Sequence, residues 1–387
     1  MNDTWWRGEN QLSPEQAPII DLPAERSYLV YGPAGSGKTN LLVLRAKYLY
    51  AAGFTNLRVI VFNRALEEFL SAGADGYDFP TDRITTSTRW AIETLREHGV
   101  SIEGMPSDFD ERRVFLLAQL RRLATEKNVD GMLDAILLDE AQDYLPGEID
   151  IFHQYANNLF AVADSRQKIY SQNDCLPTIE AAVDEIKTLQ FHYRNGRRIC
   201  RFADLLTKVG SGHESLLHSS NYNENANPSS VDFLLCRGVA MEAEMIINRL
   251  ITQVKAYPGE MIGVLCPKNE DVAAIWSAIS VSSISSMAAL LGDSNRGAKV
   301  SDAVIWVSSM HGFKGLEARA VHVAGLDKLI RFENQRNLMY MAATRAKTSL
   351  SLYASGVVPI FLDSAIKSMS PKPATLPNRS VAFGGKK

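Results

Sequence analysis

Eight consecutive residues, Gly32-Pro33-Ala34-Gly35-Ser36-Gly37-Lys38-Thr39, have the spacing of a phosphate-binding loop, GxxxxGK[ST]. Gly32, Gly35 and Gly37 let the backbone curl so that amide N–H groups, Ser36 included, point inward at phosphate oxygens. Lys38 is long enough to reach the β- and γ-phosphates, and the Thr39 hydroxyl is a magnesium ligand. The helix that follows adds the partial positive charge of its N-terminus. A hundred residues on, Leu137-Leu138-Asp139-Glu140 closes an apolar run with two carboxylates. Asp139 is the second metal ligand that such a loop needs, and Glu140 is placed to polarise an attacking water. The chemistry is hydrolysis of a nucleoside triphosphate, with ATP and Mg2+ as the expected cofactors.

Both motifs need strand ends to hold them. Residues 27–31 are a short apolar run entering the glycine-rich turn, and helical apolar spacing resumes at Leu41, Leu42, Leu44, Ala46 and Leu49. Further strands are expected at 57–62, 135–140 and 158–164, then at 231–236, 261–266, 303–309, 320–325 and 348–353, with helical stretches such as 241–254 between them. Short buried strands alternating with helices predict an α/β fold with parallel sheets covered on both faces. The pattern runs twice, which predicts two domains of similar kind: 1–185, with a small helical insertion at about 92–132, and 186–368, followed by a loose tail at 369–387. The stretch 210–230 reads as a polar loop. In residues 108–127, Leu116, Leu120 and Leu123 share one helical face, with Arg112, Arg113, Arg121 and Arg122 nearby. That is an amphipathic surface helix, or else a contact for nucleic-acid phosphates.

Composition narrows the class. The 387 residues carry a net charge of −3, which excludes a protein held to nucleic acid by bulk positive charge and leaves room for a local basic groove. Cys175, Cys200, Cys236 and Cys266 are too far apart for a zinc ribbon or an iron–sulfur cluster and read as buried thiols of a reducing compartment. The first residues have no apolar signal core, and no run approaches the ~18 apolar residues of a membrane span. The expected location is the cytoplasm, without membrane contact.

From DEAQD, Asp139 to Asp143, the sequence resembles superfamily 1 helicases of the UvrD/Rep type, and the resemblance keeps the family order through most of the chain. Leu12-Ser13-Pro14-Glu15-Gln16 is similar to the motif whose glutamine reads adenine. Val61-Phe62-Asn63-Arg64-Ala65-Leu66 resembles the segment that touches single-stranded DNA, and Thr86-Ser87-Thr88 stands where another DNA contact lies, with Thr88 in place of the family's histidine. Ala163-Asp164-Ser165-Arg166-Gln167 resembles the motif that couples nucleotide to DNA. Tyr193-Arg194 looks like the pair in which tyrosine packs on adenine and arginine touches the γ-phosphate. His311-Gly312-Phe313-Lys314-Gly315-Leu316-Glu317 resembles the KGLE motif; by that likeness Glu317 holds the ribose and His311 lies near DNA. Tyr340-Met341-Ala342-Ala343-Thr344-Arg345-Ala346-Lys347 resembles the last motif and makes Arg345 a second arginine finger.

The resemblance implies two RecA-like domains with the ATP site in the cleft between them, Lys38, Glu140, Gln167, Arg194 and Arg345 acting on the nucleotide, and Phe62, Asn63, Thr86, Thr88 and His311 facing DNA. Two departures stand out. The gap from Ala91 to Leu133 and the stretch from Arg194 to Ser309 leave no space for the family's large accessory domains. Gln172 occupies the place of a tryptophan on which a base stacks, and Phe62, Trp90 and Tyr170 are the aromatic residues at hand to replace it. The leading expectation is an ATP-dependent DNA translocase or helicase acting on single-stranded DNA or DNA ends, RNA being equally compatible. The alternative is an ATP-dependent nucleic-acid sensor or regulatory subunit that controls a partner nuclease, by analogy with compact UvrD-like proteins of anti-phage systems such as Gabija.

Overall fold

The computed structural model describes residues 8–73, 79–164, 174–207, 215–291, 303–331 and 335–369. Gln167, Tyr170 and Gln172, and the tail from residue 370, lie outside them. The chain builds two six-stranded sheets, parallel throughout, so the expected α/β class holds. The first contains β1 (Tyr28–Tyr31), β2 (Leu57–Val61), β3 (Ile84–Thr86), β4 (Leu133–Leu138), β5 (Ala156–Ala163) and β6 (Glu185–Thr188), in the order β3-β2-β4-β5-β1-β6. The second contains β7 (Ser230–Leu235), β8 (Ile262–Cys266), β9 (Ala288–Leu290), β10 (Ile305–Ser309), β11 (Ala318–Val323) and β12 (Ala346–Ala354), in the order β7-β12-β11-β8-β10-β9.

Three strands escape the sequence reading: β3, β6 and β9. All three are sheet edges of three or four residues. A central parallel strand is buried on both faces and reads as an apolar run, whereas an edge strand such as Glu185–Thr188 keeps alternate residues in water. β6 pairs with β1, so the expected division at 185/186 falls at the start of a strand of the first sheet. The helix expected at 108–127 runs Phe109–Glu126; of the polar loop expected at 210–230, residues 210–214 lie outside the described residues, 215–229 are mostly turns and Ser230 begins β7. All four cysteines are free and buried. Among the described residues no helix is long and apolar enough to cross a membrane.

The core lies in three layers. One outer layer packs helices Ser87–Glu97, Phe109–Glu126 and Pro146–Tyr155 on the first sheet, through Trp90, Leu116, Leu120 and Phe152. The other packs helices Val239–Ala256 and Asn269–Ser280 on the second sheet, through Ile246, Leu250, Ile275 and Trp276. The middle layer is one continuous apolar cluster that both sheets share. In it Phe69 of the helix Arg64–Gly73 meets Trp306 of β10 edge to face, ring centres 5.9 Å apart. The two sheets are thereby held against each other by apolar burial as well as by the polar cleft described below.

One buried polar residue fixes a pH dependence of the fold. His322 of β11 is fully buried, with Nδ1 2.9 Å from the Tyr353 hydroxyl and Nε2 2.7 Å from Gln253 Oε1. The amide oxygen only accepts, so Nε2 carries a proton, and in the neutral ring Nδ1 accepts from the Tyr353 hydroxyl. Burial, and then the Arg249 charge, push the imidazole down to about 3 from its usual 6.5. The unfolded chain therefore takes up a proton that the folded one refuses, and stability falls as pH drops from 6.5 toward 3. The urea midpoint should decline over this range in the native protein and more gently in His322→Gln; equal slopes would remove His322 from the account.

Candidate functional site

The phosphate-binding loop leaves β1 at Tyr31 and enters the helix Lys38–Ala51. Gly32 N–H donates to Ala163 O at 3.2 Å, which anchors the loop to the neighbouring strand. Gly35 and Gly37 have φ of +82° and +84°, the left-handed region that favours glycine. A Cβ on Gly35 would lie 2.6 Å from Arg194 Cβ, and one on Gly37 would lie 2.9 Å from Gln16 Nε2. The loop thus needs glycine both for its turn and for close approach. Ser36 Oγ is buried and has no hydrogen-bond partner among the described residues, as suits a group that meets a phosphate oxygen. Lys38 Nζ donates to Gly32 O at 2.8 Å and Pro33 O at 3.0 Å, and burial lowers its pKa against the pull of Asp164 and Glu140.

Behind the loop, Gln16 is clamped at both ends. Its Nε2 donates to Ser36 O at 2.6 Å, and its Oε1 accepts from Ser13 N at 2.9 Å. Arg45, fully buried in the helix Lys38–Ala51, donates to Ile20 O and Leu22 O and to Pro23 O at 2.8 Å, tying the segment before β1 to the loop's helix. No motif announces Arg45; only a charged residue inside an apolar helical run does.

Asp139 and Glu140 follow β4 directly. Thr39 Oγ1 donates to the Asp139 carboxylate, 3.0 Å and 3.1 Å from its two oxygens, so the two expected magnesium ligands face each other. Burial, and then the negative charge of Glu140, raise the Asp139 pKa. A buried carboxylate beside a paired hydroxyl is a donor set that fits magnesium. Glu140 has the opposite setting. Burial works against its charge, but Lys314, Arg345 and Lys38 together hold its pKa below the usual range. Its φ of +45° is the only positive value at a non-glycine among the described residues. Such a backbone costs about 1–3 kcal/mol and is kept where the surroundings impose it. Here Gln142 Nε2 donates to Glu140 Oε2 at 2.6 Å, while Gln142 Oε1 accepts from Asp164 N at 3.0 Å.

The second sheet supplies the opposite wall. Glu317 immediately precedes β11 and Arg345 immediately precedes β12, so both face the strand ends that carry the loop and Asp139. Arg345 lies 3.8 Å from Glu140 Oε1. Lys314 forms a buried ion pair with Asp143, and Arg194 one with Glu317, to which Lys347 is also close at 3.7 Å. Burial works against the Glu317 charge, but Arg194, Lys347 and Arg345 together hold its pKa below the usual range. Tyr193 N–H donates to Gly35 O at 3.2 Å, and Arg194 Nε is buried with no hydrogen-bond partner among the described residues. A cleft of about 510 Å3 opens between Gln16, Gly35, Gly37 and Thr39 on one side and Tyr193, Arg194 and Glu317 on the other. Arg319, Lys347 and the turn residues Asn221, Tyr222 and Asn227 complete it. Sequence reading gave these five no role: Asn221, Tyr222 and Asn227 because a polar turn carries no motif, Arg319 and Lys347 because each meets the cleft only through the fold. Lys314 and Asp143 stand inside quoted motifs and were given no role.

The expected nucleic-acid residues are more scattered. Phe62 is half-buried and packs edge to face on Phe109 and Tyr144, at 6.1 Å and 5.9 Å between ring centres. Asn63 caps the next helix by accepting from Leu66 N at 2.8 Å, and its Nδ2 donates across the cleft to Lys314 O at 2.7 Å. Thr86 Oγ1 accepts from Arg89 N at 3.3 Å and so caps the helix Ser87–Glu97, where Thr88 is half-buried. His311 is half-buried and its pKa is lowered by burial. Trp90 is buried between Phe152 and Tyr155 and presents no face to a base. This corrects the expectation that it could replace the stacking tryptophan.

Residues 304–353 match a family model described as UvrD-like helicase C-terminal domain. Among solved structures, the C-terminal domain of a possible DNA helicase from Lactobacillus plantarum WCFS1 is 18% identical over 46% of this chain and 96% of that one, with a TM-score of 0.34. The PRRSV helicase is 14% identical over 87% of this chain and 54% of that one, with a TM-score of 0.40, so the chain spans about half its length. No curated protein matches the chain. The family match covers β10 to β12, including the KGLE-like and last motifs, and bears out the UvrD-like resemblance.

Proposed function

We propose that this protein is a nucleic-acid-stimulated ATPase of the UvrD-like helicase kind, with two motor domains that carry no large internal insertion, acting on single-stranded DNA. The observation that supports it most is the cleft: the phosphate loop, Thr39 and Asp139 on one wall, Arg194 and Arg345 on the other. A triphosphate held there needs both walls to neutralise its charge. Lys38 and the loop amides hold the phosphates. Thr39 and Asp139 hold magnesium, which when bound neutralises phosphate charge. Glu140, ionised by its cationic neighbours, orients water and accepts its proton. Arg345 and Arg194 meet the charge that develops as the γ-phosphate departs. Loss of that phosphate removes the group that joins the walls, and the two sheets can then part.

We place the domain boundary after β6, near residue 189, because that strand completes the first sheet. The alternative reading, a sensor or regulatory subunit that controls a partner nuclease, is favoured by the span 92–132. It holds only the end of one helix and the helix Phe109–Glu126, so a separate grip on duplex has no element to carry it. Fork unwinding by the pure protein separates the two: fast, processive unwinding supports the helicase, and ATP hydrolysis without it supports the regulator.

Lys38→Ala should lower turnover by about 10²–10³-fold, the usual loss for one preorganised donor. It should leave the melting temperature unchanged, since Lys38 Nζ bonds only to loop carbonyls. Normal hydrolysis by the variant would refute the site.

A further inference from the structure

Arg113 was one of four arginines on a helix that suggested either a solvated face or a phosphate contact, and it does neither. It falls on the same stripe of the helix Phe109–Glu126 as Leu116, Leu120 and Leu123, and it is buried with them. The other three stay outside: Arg112 donates to Pro106 O and Ser107 O, Arg121 lies 3.9 Å from Asp150, and Arg122 pairs with Glu126 at 2.7 Å. Arg113 points at the catalytic turn. Its fork grips Glu148, with Nε 3.2 Å from Oε1 and a second bond to Oε2, and the same guanidinium donates to Asp143 O at 3.0 Å. Its charge stands 5.6 Å from the centre of the Phe62 ring and 5.5 Å from that of Phe109.

A second cation completes the arrangement. Lys314, from the other wall of the cleft, has its ammonium 5.4 Å from the Phe62 ring centre and pairs with the Asp143 carboxylate. Asp143 is therefore held at its carbonyl by Arg113 and at its carboxylate by Lys314, and both cations lie against one aromatic ring. Asp143 N–H in turn donates to Glu140 O at 3.0 Å. A buried ion pair is weak evidence for stability, because apolar residues of similar volume often serve as well. What a planar fork adds is fixed direction: it can hold a carboxylate and a carbonyl while stacking near a ring, which a lysine cannot do.

We infer that Arg113 is a positioning residue that couples Phe62 to the catalytic turn Ala141–Asp143, so that a nucleic-acid base seated at Phe62 resets the turn that carries Glu140. This rests on the proposed nucleic-acid-stimulated ATPase and on the resemblance that makes Phe62 a nucleic-acid contact. Arg113 does not line the nucleotide cleft and its bonds go to Glu148 and Asp143, so it sets how strongly nucleic acid stimulates hydrolysis, not how tightly either ligand binds. Displacing the ring moves the guanidinium, and the guanidinium moves Asp143.

The test compares ATP hydrolysis with and without oligo(dT), and oligo(dT) affinity by fluorescence anisotropy, in the native protein and two variants. Arg113→Lys keeps the charge and loses the fork. The pair Arg113→Met with Glu148→Gln removes both charges together, so no carboxylate is left buried alone. The expected result is a basal rate and an oligo(dT) affinity within about twofold of native, with stimulation reduced at least about threefold, the range of a modest coupling change. Native-like stimulation in either variant with an unchanged melting temperature would overturn the inference. So would an equal fall of basal and stimulated rates, which marks a purely structural role. If the native protein hydrolyses ATP but oligo(dT) never stimulates it, the nucleic-acid reading itself fails and takes the inference with it; stimulation intact in native and variants alike sinks the inference alone.

Discussion

Replacing Arg345 by alanine should cost about 10³–10⁵ in turnover while nucleotide affinity changes by less than about tenfold, the pattern of an arginine finger. The side chain is buried, and its own domain holds it in place: Nε donates to Met341 O at 3.4 Å and a terminal nitrogen to Leu316 O at 3.5 Å. Its charge is therefore presented to the other wall at a fixed position, 3.8 Å from Glu140. Preorganised charge of this kind matters most where negative charge grows during the reaction. Measured kcat and the affinity for a fluorescent ATP analogue separate the two effects. A loss shared equally between them would show that Arg345 only binds nucleotide, and native turnover would put it outside the reaction.

Glu140→Gln is the second large effect, a fall of about 10²–10⁴ in turnover with nucleotide binding preserved. The amide keeps the shape and the bond to Gln142, but it cannot accept a proton from water. Because its cationic neighbours keep Glu140 ionised well below the usual range, the native rate should show no acid limb from this group near neutral pH. The variant should trap unhydrolysed ATP in a filter-binding assay. Equal loss of binding and turnover would make Glu140 a structural residue, a role its left-handed backbone would also fit.

The glycines, Lys38, Thr39, Asp139 and Glu140 were legible because each is demanded by a local chemical task at fixed spacing. The central strands were legible because burial on both faces leaves continuous apolar runs such as Leu133–Leu138. What stayed hidden depends on partners distant in sequence. Arg113 looks like its exposed neighbours until Glu148 and Asp143 are seen beside it. Lys314 gains its meaning only from Asp143, on the facing wall. The turn residues Asn221, Tyr222 and Asn227 wall the cleft through topology alone. Trp90 failed as a stacking candidate because aromatic residues serve cores and bases equally well, and sequence does not say which.

The strand order of the first sheet bears on how the protein is made. β1, which carries the phosphate loop, has β5 and β6 as its neighbours in the sheet, and both follow it far along the chain. Tyr28 pairs with Phe160 and Glu185, which follow it by 132 and 157 residues. At about 5–20 residues per second, translation leaves that apolar strand without a neighbour for roughly 6–30 s. The nucleotide pocket is thus begun long before it can be completed, and a nascent chain halted before β5 holds the whole phosphate-loop sequence but neither of the strands that flank β1.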